Sequence, residues 1–279
     1  MTNLYDPNFV ARYFDELGER EWTRLVNTPA DEIKLYIHSH YLEKYIRKDD
    51  FVFDIGAGPG RFTQLLVTLG ATAIVADISR EQIELNKRYA RELGFAHGVK
   101  DWMQLDICDM STFADETFDA VVCYGNPIGY VFEKKDQALS EVLRVLKPRG
   151  KAFLSVASLW GSLHELLPAV LTVDPDKNAD IIRTGDLYFD ASEGLRHQCH
   201  LFRASEFREF LETHRVSIVE LSASNCVSGV WGDKLTEVRA DSARWNELLR
   251  MELEASRQPG CLDMGTHLLA VIEKEVQKG

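Results

Sequence analysis

Three glycines follow a short apolar segment, and this stretch of the sequence is the one best suited to hold a ligand. Residues 51–55 read as a buried parallel strand, and Gly56, Gly58 and Gly60 come directly after it. Residues 61–69 then carry apolar side chains at helical spacing. A strand that ends in a tight glycine turn and continues as a helix lets a ligand lie against bare backbone, beside the unpaired N–H groups of the helix N-terminus.

An acidic side chain ends the next apolar segment and is placed to bind a nucleoside. Residues 73–76 read as the second strand, and Asp77 follows them. A carboxylate at this position can accept hydrogen bonds from both hydroxyls of a ribose, because its two oxygens match the two vicinal hydroxyls. The alternative is that Asp77 only caps the helix that starts near Ser79, although Ser79 is able to cap that helix itself.

The spacing of the glycines resembles that of one family. The dinucleotide fingerprint is G-x-G-x-x-G, whereas this chain has G-x-G-x-G with Asp54 two residues before the first glycine. The pattern D-x-G-x-G-x-G resembles motif I of the class I S-adenosylmethionine (SAM)-dependent methyltransferases. Two more phrases resemble the same family, D-x-x-F-D at 115–119 and L-R-V-L-K-P at 143–148, after which Arg149 replaces the usual glycine. The resemblance is in register over about residues 50–157 and looser beyond.

The resemblance implies SAM as the cofactor and S-adenosylhomocysteine as its product. In the family, the glycine turn packs against the amino-acid part of SAM, and the acid at the Asp54 position helps to hold the ammonium group. Asp106 stands where the family places an acid near the adenine amino group, although Asp106 and Asp109 are also ordinary turn residues. The implied cofactor contacts are Asp54, Gly56, Ala57, Gly58, Gly60, Asp77, Ile78, Asp106, Ile107 and Cys123.

The loop 125–130 follows the fourth predicted strand and is expected to face the substrate, because ligands of open α/β sheets bind at the carboxyl edge. Its Asn-Pro pair is similar to the N-P-P-Y loop of amino-methylating nucleic-acid enzymes, but the asparagine is displaced and the second proline is absent. Helices are predicted over 8–17, 19–26 and 29–46, the last with Thr28 as its cap. They resemble the helices that cover SAM in related methyltransferases; for their aromatic residues, ordinary packing is the alternative. The candidate pocket residues are Tyr5, Tyr13, Trp22, His40, Tyr124, Asn126, Tyr130 and Trp160.

Residues 158–203 interrupt the alternation of helices and strands and are predicted to form a cap over the substrate. The expected elements are a helix at 160–171 that Pro168 bends or ends, a loop at 174–178, and a hairpin of 187–189 with 195–202 around a turn at 190–194. His197 and His200 lie on this hairpin, and with Tyr130 they are the candidates for a general base in O-methyl transfer. A solvent or packing role is the alternative for each histidine.

The order of elements predicts an α/β fold: a Rossmann-like, seven-stranded sheet with helices on both faces and an antiparallel last strand. Ser205 is expected to cap a helix at 206–214. A long helix at 233–257 is expected to pack either inside the chain or against a second copy in a homodimer. A single domain (1–279) is predicted, made of an N-terminal helical cover (1–48), a SAM-binding core (50–157), the cap (158–203) and the C-terminal part of the sheet (204–279).

Charge and composition favour a small-molecule substrate. The 279 residues carry a net charge of −12, which argues against a surface built to bind phosphate backbones. No apolar run approaches the ~20 residues of a membrane span, and the polar N-terminus lacks the apolar core of a secretion signal. The five cysteines are widely spread and include no C-x-x-C pair, which predicts reduced thiols, a cytoplasmic location and no structural metal.

The predicted function is methyl transfer from SAM to an oxygen or nitrogen atom of a small molecule, by in-line displacement. One alternative is a tRNA or protein methyltransferase, which would show a basic groove beside the SAM site. Another is a module that binds SAM without catalysis. A nicotinamide-dependent oxidoreductase is the remaining alternative, and the G-x-G-x-G spacing together with Asp54 disfavours it.

Overall fold

A seven-stranded mixed sheet with helices on both faces forms the centre of the protein. The computed structural model describes residues 4–189 and 196–276. The strands, in chain order, are β1 (Phe51–Ile55), β2 (Thr72–Asp77), β3 (Val99–Gln104), β4 (Phe118–Cys123), β5 (Leu146–Ala157), β6 (Asp186–Leu187), β7 (Cys199–His200), β8 (Val216–Ser224) and β9 (His267–Lys274). The α-helices are α1 (Pro7–Leu17), α2 (Arg20–Thr23), α3 (Pro29–Tyr45), α4 (Arg61–Thr68), α5 (Arg80–Glu92), α6 (Pro127–Tyr130), α7 (Lys135–Val145), α8 (Leu159–Glu165), α9 (Leu167–Val170), α10 (Pro175–Thr184), α11 (Ala204–Glu212), α12 (Asp233–Arg239) and α13 (Ser242–Ala255).

The strand order in the sheet is β3-β2-β1-β4-β5-β9-β8. β1 pairs in parallel with β2 on one side and with β4 on the other. β9 runs antiparallel to both β5 and β8, so it is inserted between two strands that precede it in the chain. This topology confirms the predicted Rossmann-like sheet and its antiparallel strand.

Both faces of the central strands are buried, which explains their nearly continuous apolar sequence. In β1, Val52 packs with Ile37 and Tyr41 of α3 on one face. Phe53 packs on the opposite face, where its ring centroid lies 4.9 Å from that of Phe118. Because both faces are covered, a ligand reaches these parallel strands at their carboxyl ends.

The start of α3 is set by its own sequence. Thr28 Oγ1 accepts the N–H of Asp31 at 3.2 Å, and the Asp31 carboxylate accepts the N–H of Thr28 at 3.1 Å. Pro29 takes the first helical position, where its missing N–H costs nothing. This capping box confirms the predicted start at Thr28 and determines which side chains of α3 face the sheet.

The loop predicted at 174–178 is wrong. The helix α10 begins at Pro175, and Asp174 caps it by accepting the N–H groups of Asp176 and Lys177 at 2.9 and 3.3 Å. An Asp-Pro-Asp sequence is also a helix start, because aspartate caps and proline is preorganised for the first position.

The other elements of the cap are shorter than predicted. The helix expected at 160–171 is divided into α8 and α9, because Pro168 fits the first turn of a new helix but not a helix interior. The hairpin consists of β6 and β7, two residues each, and its expected turn at 190–194 lies outside the described residues.

Two predicted helix boundaries near the C-terminus also differ. The helix α11 begins at Ala204, one residue before the predicted cap Ser205, and its first N–H donates to Asp263 Oδ1 at 2.8 Å. The helix predicted at 233–257 is two helices, because the Asp241 carboxylate accepts two N–H groups and starts α13.

The helices α12 and α13 pack within the chain. Leu235 and Trp245 form a buried cluster with Ile33 of α3, and a homodimer contact stays a prediction. The last strand, β9, continues to Lys274, and residues 277–279 lie outside the described ranges. None of the helices in residues 4–189 and 196–276 combines the length and the apolar character needed to cross a membrane.

Candidate active site

The glycine turn after β1 depends on two close approaches that exclude a side chain. Gly56 has a φ of +70°, and a Cβ atom built on it would lie 2.5 Å from Pro127 Cγ in the loop after β4. Gly60 has a φ of +99°, and its Cβ would lie 2.7 Å from Nδ2 of Asn86. A side chain at either position would push the neighbouring element away, so the turn presents backbone instead.

A cleft of about 850 Å³, including its open mouth, lies over this turn and is called the turn cavity here. It is placed at the carboxyl edge of β1, β2 and β4, where open α/β sheets bind their ligands. Seven of the predicted cofactor contacts line it: Gly56, Ala57, Gly58, Asp77, Ile78, Asp106 and Ile107. Tyr5 and Tyr124, which were candidates for the substrate pocket, line the same cavity.

The other three predicted contacts lie behind the wall of the turn cavity. Asp54 is buried and accepts a hydrogen bond from Thr63 Oγ1 at 2.6 Å, and burial raises the pKa of its carboxyl to about 7. Cys123 is fully buried, which raises the pKa of its thiol. Gly60 contacts Asn86 instead of the cavity. These three residues support the turn from below.

The carboxylate of Asp77 ties the glycine turn to the end of β2. Its Oδ2 accepts the N–H of Gly58 at 2.8 Å, and its Oδ1 accepts the N–H of Ser79 at 2.9 Å. Burial raises the pKa of Asp77 to about 6. The cap of α5 is Ser79, whose hydroxyl accepts the N–H of Gln82, so Asp77 is not used as a helix cap.

A second cleft of about 1220 Å³, also including open space, lies under the cap and is called the cap cavity here. Its walls come from α1, the loop after β4, the helices α8 to α10 and the hairpin β6–β7. Four predicted site residues line it: Tyr13, Asn126, Tyr130 and His197. Tyr130 lines the turn cavity as well, so the two cavities adjoin at this side chain.

A neutral hydrogen-bonded pair stands at this junction. The hydroxyl of Tyr130 lies 2.9 Å from Nε2 of His197, and the His197 ring stacks on Tyr13 with centroids 5.7 Å apart. Burial, with a smaller contribution from the cation of Arg24, lowers the pKa of His197 to about 4. Burial also raises the pKa of Tyr130, so both side chains are uncharged near pH 7.

The wall shared by the two cavities includes residues that the sequence reasoning missed. Phe14, Glu21, Arg24 and Gly125 line both cavities together with Tyr130. Arg24 Nε donates to Glu21 Oε1 at 2.6 Å; burial alone would lower the pKa of Arg24, but the Glu21 carboxylate outweighs it. The sequence does contain a signal for this ion pair, because residues of opposite charge three positions apart on one helical turn can contact each other.

Three predicted pocket residues lie away from both cavities. Trp22 is stacked between the ring of Tyr89, with centroids 4.1 Å apart, and the guanidinium of Arg61, 3.9 Å from the ring. Trp160 lies on the outer side of α8 and is 42% exposed. His40 contacts Tyr41 instead of a cavity. These residues miss the cavities because each lies on a face of its helix that points away from them. The type of a residue does not show which face of the helix it occupies.

His38 takes the inward position that was predicted for His40. It is buried beside Tyr124 and Phe62, with ring centroids 4.8 and 5.7 Å away, and both of these residues line the turn cavity. Two positions along a helix turn the side chain by about 200°. Burial lowers the pKa of His38 to about 3, so this histidine is uncharged near pH 7.

His200, predicted as a candidate base, lies under the hairpin and lines neither cavity. Its Nδ1 lies 2.6 Å from Asp186 Oδ1 and its Nε2 lies 2.6 Å from Glu206 Oε1. Burial alone would lower the pKa of His200, but the hydrogen bonds to the two carboxylates outweigh burial and raise it. These contacts of the buried imidazole with two partly exposed carboxylates join the cap to α11 and leave no free nitrogen for catalysis.

The sheet order and a cavity over a glycine turn define a class of nucleoside-binding α/β proteins. A family model described as a methyltransferase domain matches residues 52–150. Residues 52–150 therefore form a class I SAM-dependent methyltransferase domain. The stretch of resemblance predicted from the motifs, about 50–157, is confirmed by this match.

Two relatives and one solved structure show how far the similarity extends. "Methyltransferase GfsG" of Streptomyces halstedii is 30% identical over 123 residues, which are 43% of this chain and 42% of GfsG. "Probable methyltransferase ltbC" of Aspergillus luteorubrus is 26% identical over 275 residues, which cover 86% of this chain and 91% of that protein. The crystal structure of the [4+2]-cyclase SpnF superposes with a TM-score of 0.62 at 15% identity, covers 96% of both chains, and shows the fold alone.

We predict that His200→Gln destabilises the protein by about 1–3 kcal/mol at pH 6, because two partly buried carboxylates would lose the cation between them. The folded-state pKa of His200 is raised above its unfolded value of about 6.5. The contribution of the imidazolium is therefore complete below about pH 6.5 and is lost as the pH rises through the folded-state pKa. Urea unfolding of the wild type and of His200→Gln at pH 6 and pH 9 measures this contribution to the free energy of unfolding. The exposed His164, changed to Gln, is the control; an equal loss at both pH values would contradict the prediction.

Proposed function

We propose that the protein transfers a methyl group from SAM, bound in the turn cavity, to a small molecule bound in the cap cavity. The observation that carries this proposal is the junction of the two cavities, which share one wall that includes Gly125 and Tyr130. A donor and an acceptor held on the two sides of that junction would meet with their reacting atoms adjacent. Such positioning can remove about 7–11 kcal/mol of the barrier to a bimolecular displacement.

The residues of the turn cavity fit SAM. The backbone of Gly56 to Gly58 would carry the amino-acid part, since a Cβ at Gly56 would fill that space. A carboxylate has about four lone-pair sites, and Asp77 uses two of them for the N–H groups of Gly58 and Ser79. The remaining sites are available to the two ribose hydroxyls, and Asp106 and Ile107 would border the adenine.

When bound, SAM supplies a methyl group on a sulfonium, which is already activated for displacement. The chain would hold the acceptor in line with that methyl group and exclude water from the junction. The apolar wall of the cap cavity serves this purpose, because it includes Leu163, Leu166, Val170 and Ile181 from the cap.

A small-molecule acceptor is favoured over a nucleic acid or a protein. The cap covers the acceptor side, and the cation on the shared wall, Arg24, is paired with Glu21. The net charge of −12 also opposes binding to a phosphate backbone. The cysteines Cys108, Cys123, Cys199 and Cys226 are buried free thiols, which supports the further proposal of a reducing, cytoplasmic compartment.

Titration calorimetry against SAM, S-adenosylhomocysteine and NAD tests the proposed cofactor. We expect binding of SAM and S-adenosylhomocysteine with dissociation constants in the micromolar range, and no binding of NAD. Binding of NAD alone would overturn the proposal. Binding of S-adenosylhomocysteine without transfer to any acceptor would leave a SAM-binding module without catalysis.

We predict that Asp77→Ala weakens the binding of S-adenosylhomocysteine by about 1–3 kcal/mol, because charge-assisted hydrogen bonds to the ribose are lost. Asp109→Ala is the matched control. Asp109 is exposed and lies outside the turn cavity, whereas Asp106 lines it, so Asp109→Ala should leave the affinity unchanged. An Asp77→Ala variant with the affinity of the wild type would contradict the assignment to the ribose.

The affinity for S-adenosylhomocysteine should also depend on pH. Asp77 has a pKa of about 6 without ligand, and its carboxylate must be ionised to accept both hydroxyls. The affinity is therefore complete above about pH 7 and falls as the pH decreases through 6, by about tenfold at pH 5. Calorimetry at pH 5, 6 and 7.5 measures this change. In Asp77→Asn the affinity should be lower and nearly constant with pH, and a wild-type affinity that does not change would refute the prediction.

A further inference from the structure

The junction of the two cavities contains a pair of side chains arranged to move a proton. The hydroxyl oxygen of Tyr130 lies 2.9 Å from Nε2 of His197, and Tyr130 lines both cavities. Any acceptor atom that attacks a methyl group across the junction must come close to this hydroxyl. The pair is therefore placed where a proton would be released during the reaction.

The groups around the pair leave it uncharged. The groups that face His197 and Tyr130 are Tyr13 of α1, Glu21 of α2, Arg24 directly after α2, Cys199 of β7 and His267 of β9. The carboxylate among these groups, Glu21, is bound to Arg24 at 2.6 Å. Burial and the Arg24 cation hold the pKa of His197 at about 4, and burial raises the pKa of Tyr130.

A neutral imidazole and a protonated phenol share one hydrogen bond in which only one of them donates. If the phenol donates, Nε2 of His197 is the acceptor, and the Tyr130 oxygen keeps its lone pairs for a second donor in the cavity. An acceptor molecule that carries an O–H group supplies such a donor. With such a molecule bound, two hydrogen bonds in series would lead from its hydroxyl to a base, His197.

Away from the junction, the cap cavity is mainly apolar. Its wall there includes the side chains of Leu163, Leu166, Val170, Val173, Ile181 and Leu187. A cavity with polar side chains at the junction and apolar side chains elsewhere matches a molecule that has an apolar body and one polar group at the reacting end.

We propose that the acceptor is a hydroxyl compound with an apolar body, and that Tyr130 relays its proton to His197 during O-methyl transfer. This inference rests on the proposed function. A hydroxyl is protonated at neutral pH and needs a base, whereas a carboxylate or a neutral amine reacts without one. An ammonium group would favour a free carboxylate at the junction, and Glu21 is already paired with Arg24.

The acceptor oxygen forms a bond to the methyl carbon, and the carbon–sulfur bond of SAM breaks with its electron pair remaining on sulfur. The hydroxyl proton passes to the oxygen of Tyr130 while the Tyr130 proton passes to Nε2 of His197. The products are a methyl ether, S-adenosylhomocysteine and a protonated His197, which then loses its proton to solvent.

Four probes with the same apolar body test the acceptor class: 1-naphthol, 1-naphthylamine, 1-naphthalenethiol and 1-naphthoic acid. Transfer is measured with methyl-labelled SAM at pH 7, beside S-adenosylhomocysteine binding by calorimetry. We expect 1-naphthol to be methylated at least tenfold faster than the other three. A faster reaction with the amine, thiol or acid would overturn the inference. Transfer to none of them, with S-adenosylhomocysteine still bound, would also overturn it. Absence of S-adenosylhomocysteine binding would instead refute the proposed function.

Variants of the pair test the relay. His197→Gln and Tyr130→Phe should lower the turnover of 1-naphthol by about 10²–10³-fold. His197 lines the cap cavity but not the turn cavity, so His197→Gln should keep the S-adenosylhomocysteine affinity within twofold of the wild type. At saturating SAM, the wild-type rate should be constant between pH 5.5 and 8, because the base is already neutral. In both variants the rate should rise about tenfold per pH unit, since only naphtholate from solution can react. The exposed His164, changed to Gln, is the control for the histidine substitution. An equal loss at every pH would indicate a structural role and overturn the relay.

The tautomer of His197 gives a readout that needs neither cofactor nor acceptor. Long-range ¹H–¹⁵N correlation spectra of the protein at pH 7, assigned with His197→Gln, distinguish a protonated from an unprotonated ring nitrogen. We expect Nε2 to be unprotonated and to accept from Tyr130. A proton on Nε2 in the wild type would overturn the proposed direction of the relay.

Discussion

The hydrogen bond from the N–H of Gly58 to Oδ2 of Asp77 links the two parts of the turn cavity. It joins the loop after β1 to the end of β2, and the second oxygen of Asp77 holds the backbone at Ser79. A buried carboxylate that accepts backbone N–H groups is stable only while those groups remain in place. Together with the N–H groups of Gly56 and Ala57, which donate to the Ala76 carbonyl at 2.9 and 3.1 Å, this side chain holds the glycine turn against β2. The same side chain is the one proposed to recognise the nucleoside.

The acceptor side is assembled from distant parts of the chain. Tyr13 and Arg24 come from the N-terminal helices, Tyr130 from the loop after β4, and His197 from the cap. Each lies on an element that is fixed independently. The Trp22 stack on Tyr89 and Arg61 holds α2, whereas the His200 triad with Asp186 and Glu206 holds the hairpin. The pair Tyr130–His197 meets because both supports bring their elements to the same edge of the sheet.

The sheet, the glycine turn and the place of Asp77 in the cavity could be predicted from the sequence, because each depends on neighbours within a few residues. The sequence did not reveal which face of a helix turns inwards. His38 is inside and His40 is not, and Trp160 lies on the outer side of α8. Nor did it show that His200 meets Asp186 and Glu206, because a tertiary contact decides that. The helix start at Asp174 is a different case, because the Asp-Pro-Asp sequence there is typical of a helix start as well as of a turn.

The position of β9 has a consequence for how the chain is made. The strand β9 lies between β5 and β8 and pairs with both. Until β9 has been synthesised, the edges of β5 and β8 that it will cover have no partner. A nascent chain that ends after β5 already contains the glycine turn and Asp77, yet it presents β5 as an exposed edge. Such edges recruit other strands during synthesis. The half of the sheet that would bind the cofactor is therefore synthesised before β9, the strand that covers the edge of β5.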